Sequence, residues 1–512
     1  MASNRDLEAT WAYHNGTKHS FQSIRSSRHF LDRQNQPLPF KVYPALEPIP
    51  LPRLEPSGAL ALAALAASDS EPVGECVPGL ELLARVLYYS AGITKRIRYP
   101  QGEMPFRAAS CTGALYHIDF YLVCGDLPDL EAGVYHFGVH DFALRRLRRG
   151  DFREELVKAA ASEPAVAQAP VTLACASTFW RNAWKYQART YRHCFWDSGT
   201  ILANLLAVAA GQRLPAGVVC GFVDGQVNRL LGLDPQREAA LALVPLGRSP
   251  DRIGRAPAVE PLELETMPLS RSEVDYPAIR AIHEASSLTG EAEVAAWRGP
   301  TPPASLPVPS GRLFSLQPAG PEETPQDAIE AVIRRRGSSR RFVREPLTMA
   351  QLSALLSRAV RRIPADFLEP EGTSLNDLYL IINGVEGPPS GTYVFHRDRE
   401  ALELLREGAF RDEAGDLGLE QALPADASVD VFFLADLAPI LERFGNRGYR
   451  VAQLDAGIIG GRLYLAAYAL GIGATGLTFY DDDITDFFSP HASGKSVMFL
   501  VALGHPAKRT IA

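Results

Sequence analysis

Two long apolar stretches, residues 197–210 and 455–470, dominate the hydrophobic pattern. Both are apolar almost all round, which predicts helices buried in a core or between domains. Shorter apolar runs at 118–124 and 171–175 read as buried strands, and runs at 377–382 and 429–435 repeat them further along. Residues 80–89 carry helical periodicity, as do residues 325–335, apolar at Ala328, Ile329, Val332 and Ile333. Helices and strands interleave in one order, which predicts an α+β fold with a central mixed sheet flanked by helices.

The pattern occurs twice. Gly133-Val134-Tyr135-His136-Phe137 returns as Gly391-Thr392-Tyr393-Val394-Phe395, and Gly150-Asp151-Phe152-Arg153 as Gly408-Ala409-Phe410-Arg411. Tyr191-Arg192, Asp197 and Gly199 return as Tyr449-Arg450, Asp455 and Gly457, and every pair is 258 residues apart. Copies of this length are too long for solenoid units, so they read as two tandem domains of one fold. Such a pair can imitate a two-fold dimer as an intramolecular pseudo-dimer. The expected organisation is an N-terminal arm (1–55), domain one (56–250), a proline-rich connector (251–320) and domain two (321–512). The arm reads as an extended segment laid over a domain. The connector reads as a stiff spacer, with prolines concentrated between 300 and 309.

Composition adds bounds. Apolar residues make up 46% of the chain and charged residues 22%, as in soluble globular proteins. A net charge of −7 argues against nucleic-acid or anionic-membrane partners. The six cysteines form no CxxC pair, so neither a metal site nor a disulfide framework is indicated. The first residues lack an apolar signal core, and the small-residue run 59–67 is too short to span a bilayer. A cytoplasmic setting is the expectation.

Three segments could carry chemistry. In copy two, Arg336, Ser338 and Arg340 alternate after a helix, so their side chains can point one way. Guanidinium forks and a hydroxyl suit a phosphate. A solvated basic helix end, favoured by the helix dipole, fits the same residues. Copy one has Ser68-Asp69-Ser70-Glu71 in the corresponding stretch, which is unfit for a phosphate. In copy one, Arg107 to Tyr116 forms a small-residue loop with Ser110, Cys111, Gly113, Ala114 and Leu115. Such a loop lets a flat ligand approach the backbone, although small-residue turns before strands are common. The third segment contains Lys185-Tyr186, which copy two replaces with Arg443-Phe444. A lysine beside a tyrosine can do acid–base work if its surroundings shift its pKa. A surface loop with structural aromatics fits equally well.

Together these segments resemble the nitroreductase-like flavoproteins, and most closely the SagB-type dehydrogenases that oxidise azolines to azoles in peptide pathways. The resemblance extends over both copies and the arm. It implies that Arg336, Ser338, Arg340 and the tail residue Arg509 hold the phosphate of FMN. It implies that Arg107, Ser110, Cys111, Gly113, Ala114 and Leu115 form the flavin-contacting loop, with Ala109 in place of the usual proline. Gly476 and Leu477 would line the flavin ring with their amides. Lys185 and Tyr186 would be catalytic.

In that family two sites lie across a homodimer interface. Here the phosphate arm survives in copy two and the flavin loop in copy one, so the resemblance implies one composite FMN site per chain. The expected partner is a small-molecule or peptide substrate, with biosynthetic partner enzymes and no nucleic acid or membrane. Two other readings stay open: an NAD(P)H-dependent nitro or quinone reductase, and a non-catalytic flavin-binding scaffold.

Overall fold

The two halves fold around two sheets and meet along their central helices. This computed structural model describes residues 3–54, 56–66, 74–99, 102–302, 306–317 and 324–507. Ser68 to Glu71 and Arg509, singled out above, lie outside the described residues.

In copy one the sheet runs Pro48–Pro50, Ala143–Arg149, Gly133–Gly138, Ile118–Cys124, Val171–Thr178, Glu238–Leu246. In copy two it runs Phe342–Val343, Ser496–Pro506, Val429–Ala435, Asp377–Ile382, Gly391–His396, Ala401–Glu407, Leu313–Ser315. Gly473–Gly476 adds a further partner to Ser496–Pro506. The ladders between these strands are antiparallel. Parallel pairing is confined to isolated bridges such as Val218 with Ala365, which joins the copies. The strands Ile118–Cys124 and Val429–Ala435 are buried at every position. That explains their unbroken apolar reading: neither face meets water.

The long helices Thr190–Gly211 and Arg447–Ala469 lie against each other at the centre of the molecule. They begin about two turns earlier than the apolar stretches suggest. The extra turns hold buried arginines, which hydropathy does not count. Gly199 and Gly457 meet at the crossing, where a Cβ on Gly199 would sit 2.5 Å from the Gly457 carbonyl carbon. The run Phe179–Gly211 is long and apolar enough to cross a membrane, yet 89% of its apolar window is buried inside the protein.

The interface also holds two matching charge clusters. Arg189 and Arg192 of copy one bind Asp481 of copy two at 2.9 and 2.5 Å. Their repeat mates Arg447 and Arg450 bind Asp224 of copy one at 2.6 and 2.7 Å. All of these side chains are buried. Their mutual attraction and shared hydrogen bonds offset a large desolvation cost.

The connector is more than a stiff spacer. It forms helices Pro277–Ala285 and Glu291–Trp297 and the edge strand Leu313–Ser315. The N-terminal arm forms helix Glu8–Gly16 and the edge strand Pro48–Pro50. The parallel is chemical as well. Arg192 donates to the His14 carbonyl and the Thr17 hydroxyl, while Arg450 donates to the His283 carbonyl and the Ser286 hydroxyl. The connector is thus the arm of the second copy. Prolines drew the sequence reading to a spacer, whereas Pro277 opens a helix at its first turn, where no N–H is needed.

Candidate functional site

The loop from Arg107 to Tyr116 is set by Asp197 at the first turns of the central helix. Asp197 accepts from the Thr112 amide at 2.9 Å, the Thr112 hydroxyl at 2.8 Å and the Cys111 thiol at 3.1 Å. His117 Nε2 lies 2.9 Å from the same carboxylate. Thr200 Oγ1 donates to the Ser110 carbonyl at 2.7 Å. The loop turns back through Gly113, Ala114 and Tyr116 at positive φ (62°, 54° and 48°). Two of the three are not glycine, so surrounding contacts hold a strained backbone here. Burial first, and then Asp197, push the Cys111 thiol well above its ordinary range, so it is a protonated hydrogen-bond donor. Leu115 packs into the core.

Arg107 does not point at this surface. Its guanidinium is buried and donates to the carbonyls of Ile118 (2.9 Å) and Pro39 (2.6 Å), bracing the loop under the arm. Burial lowers it to about 10. Any ligand contact at Arg107 is left to its backbone.

Copy two delivers its basic segment onto this loop. Arg336 donates from Nε to the Ala108 carbonyl at 2.9 Å and from Nη2 to the Arg107 carbonyl at 3.2 Å. It thereby latches one copy to the other. Ser338 Oγ lies 3.4 Å from the Tyr464 hydroxyl, and the Ser339 amide donates to the Ala474 carbonyl at 2.9 Å. Ser339 Oγ is buried with no partner among the described residues. Arg340 is exposed and has no hydrogen-bond or ion-pair partner among the described residues.

Lys185 and Tyr186 end the helix Phe179–Tyr186, which brings Tyr186 against Gly113 of the copy-one loop. The Lys185 ammonium lies 5.0 Å from the Tyr186 ring centre. Burial first, and then Arg33 and Arg340, lower the Lys185 amine from its ordinary value. Burial first, and then Asp197 and Cys111, raise the Tyr186 phenol, while Arg340 opposes the rise. The Tyr186 ring stands edge-on to His193 at 4.6 Å, and its hydroxyl would be 2.8 Å from a Cβ on Gly113. Gln187, the next residue, has φ +50°, where copy two uses Gly445 at φ +67°. The chain therefore tolerates left-handed strain directly after this pair. The arm closes over them: His29 Nε2 and the Trp184 carbonyl lie 3.1 Å apart, and Trp184 donates to the Asp32 carbonyl at 2.9 Å.

The amides expected at Gly476 and Leu477 are already committed. The Gly476 N–H donates to the Tyr464 hydroxyl, and the Leu477 N–H to the Leu500 carbonyl at 3.1 Å. The next two amides, of Thr478 and Phe479, have no partner among the described residues. The β-ladder edge and the tyrosine partner that commit Gly476 and Leu477 are invisible in a glycine-rich string.

The mate of this crevice, across the pseudo-two-fold, explains what those amides can do. There the corresponding amides of Cys220 and Gly221 each donate to the Asp366 carboxylate at 2.8 Å. Val218 donates to the Pro364 carbonyl at 2.8 Å, and Arg462 donates to the Arg362 carbonyl at 3.1 Å. The protein's own loop fills that crevice. Asp366 stands 258 residues after Ala108, so an acid has entered where copy one keeps a small residue. A planar pair of acceptor atoms on adjacent amides is what Asp366 supplies on one side and what the open side lacks. Free amides, an orphaned serine hydroxyl and an unpaired arginine fit a planar ligand ending in an anion, as a flavin mononucleotide does.

The sequence matches the description "Nitroreductase family" over residues 106–248 and again over 333–505. A nitroreductase-family protein of Anabaena variabilis, known from its crystal structure, superposes with a TM-score of 0.79 at 27% identity. That match covers 98% of this chain and 99% of that one. A nitroreductase-family protein of Methanocaldococcus jannaschii is 26% identical over 169 residues, 33% of this chain and 80% of its own length. The trifolitoxin-processing protein TfxB of Rhizobium leguminosarum bv. trifolii is 30% identical over 169 residues. That alignment covers 32% of this chain and 45% of TfxB. Two matched segments, one in each half of a folded pair, show that the chain belongs to the nitroreductase family.

Proposed function

We propose that the chain is an FMN-dependent oxidoreductase of SagB type, with one flavin per polypeptide in the open crevice. Its substrate would be an azoline-like or related C–N or C–C bond of a peptide-derived compound. The observation that carries this reading is that Tyr186 of copy one lies against Gly113, with Lys185 beside its ring, on the loop that Arg336 of copy two latches. The likeness to a trifolitoxin-processing protein supports a peptide-derived substrate.

Bound FMN would supply the two-electron acceptor. Arg340, Ser338 and Ser339 would hold its phosphate end, and the Thr478 and Phe479 amides its ring. Arg336 ties the two copies together at the seam beside the crevice. A lysine whose amine is lowered by burial and by two arginines reaches its neutral form more readily. Lys185 is therefore the base that takes the proton leaving the substrate as hydride departs. Tyr186, held protonated by burial, is the donor that orients the substrate.

The reductase alternative is favoured by the nitroreductase relatives. Both readings are tested on one preparation. Flavin released on denaturation is expected at about one FMN per chain. Under anaerobic conditions an azoline peptide should bleach the bound flavin. Bleaching by NADPH but not by the azoline would establish the reductase, and absence of bound flavin after reconstitution would overturn the enzyme reading.

A further inference from the structure

A second cleft, of about 420 Å3, opens between the helix Leu80–Ala91, the hairpin strand Ile93–Tyr99 and the turn at 139–142. It shares no lining residue with the cofactor crevice. Five of its lining side chains are cationic: Arg53, Arg85, Lys95, Arg96 and Arg334. Two are neutralised locally, Arg85 by buried Glu330 at 3.3 Å and Arg96 by Glu103 at 2.8 Å. The one acid on the lining, Asp141, is held by Arg145 at 2.6 Å. Arg53, Lys95 and Arg334 have no hydrogen-bond or ion-pair partner among the described residues. Three uncompensated cations thus face one cavity.

The remaining wall is aromatic. Tyr88 lies edge-on to Phe142 at 5.4 Å and to Tyr89 at 5.0 Å. Tyr89 lines the cleft at 1% exposure, and its hydroxyl has no partner among the described residues. A buried hydroxyl without a partner is costly, and native proteins rarely leave one without a reason. A ligand acceptor at the cleft floor would satisfy it. The volume lies within the range of small-molecule sites, and cations at the rim above an aromatic floor select both ends of the ligand.

We propose that this cleft binds a nucleotide, with its planar base against Tyr88 and Phe142 and its phosphate between Arg53, Lys95 and Arg334. Nothing in the reaction proposed above uses it, so it is a second ligand site. Phosphate alone would lack the ring contacts, and a nucleoside alone would lack the charge.

The test is calorimetric titration of the full chain, loaded with FMN and then freed of unbound FMN by gel filtration, using AMP, adenosine and inorganic phosphate in turn. AMP is expected to bind at least about tenfold more tightly than either fragment. The double variant Arg53→Glu/Lys95→Glu should weaken AMP by more than about tenfold. Tyr89→Phe should weaken AMP several-fold while leaving the melting temperature unchanged or raised, because it removes a buried unsatisfied hydroxyl. The proposal is overturned if AMP fails to saturate below about 1 mM, if phosphate binds as tightly as AMP, or if the charge-reversed variant binds AMP like the parent.

Discussion

At the scale of the residue, the two copies separate what the sequence holds together. Lys185 and Tyr186 occupy the positions of Arg443 and Phe444, so copy two keeps a charge and a ring but no proton donor or acceptor that titrates usefully. The sign of the pH effect follows from the environment. The Lys185 amine is lowered by burial, Arg33 and Arg340, and it must be neutral to accept a proton. Substrate-driven flavin reduction should therefore fall as pH drops through that lowered pKa. Lys185→Ala should remove this limb and slow reduction by about 10²–10⁴-fold with bound flavin unchanged. Stopped-flow absorbance against pH, with released flavin measured beside it, checks both. Loss of the cofactor from Lys185→Ala would make the residue a ligand holder instead. The same scale yields a stability prediction at His136. It is buried, neither ring nitrogen has a partner among the described residues, and burial lowers it to about 3. Only the unfolded chain can then take a proton between pH 6.5 and about 3, so stability is present above that window and drains through it on acidification. Replacing His136 with Phe should reduce the slope of unfolding free energy against pH by up to about 1.4 kcal/mol per unit, read from urea titrations at several pH values.

At the scale of the element, the central helices carry the seam. Gly457 meets the backbone of Trp196, where a Cβ would sit 2.8 Å from its carbonyl oxygen. A methyl group there must push two packed helices apart, because the obstacle is backbone. Gly457→Ala should cost about 1–3 kcal/mol or more, seen as a lower melting temperature. Asp481 is the other pin. It balances Arg189 and Arg192 while accepting from the His19 amide at 2.8 Å, so it ties the arm to both copies. Asp481→Asn would strand two buried guanidinium groups, at about 3–5 kcal/mol. It should also open residues 18–40 to limited proteolysis. The strands and long helices were legible from apolar runs because each is buried on all faces, and a buried element needs no alternation. The arm-like role of the connector was not legible. Its match to the first arm rests on His14 with His283 and Thr17 with Ser286, whose carbonyls and hydroxyls serve distant arginines. Such contacts leave almost no trace in hydropathy or motif. The side-chain direction of Arg107 was hidden for the same reason: a motif names a residue, but only packing decides whether its head or its backbone faces the ligand.

At the scale of the whole molecule, duplication has produced two crevices with opposite fates. On the open side, the Thr478 and Phe479 amides have no partner among the described residues. On the closed side, Asp366 takes the Cys220 and Gly221 amides, and Arg298 approaches its carboxylate at 3.4 Å. Burial raises the Asp366 carboxyl, while the two amides and Arg298 oppose the rise. A seal of this kind is structural, and its loss should register as stability. Asp366→Ala removes the acceptor for two buried amides and the neighbour of Arg298, at about 1–3 kcal/mol for each group left unsatisfied. Flavin content should not rise, because the Pro364 carbonyl still accepts from the Val218 amide and Trp297 still packs on Gly221. Thermal melting with released flavin per chain distinguishes the cases. A lowered melting temperature with unchanged flavin means that the second crevice became part of the core. A second flavin in Asp366→Ala would mean that one carboxylate alone keeps a complete site shut, and that the fused pair still carries both sites of its symmetric ancestor.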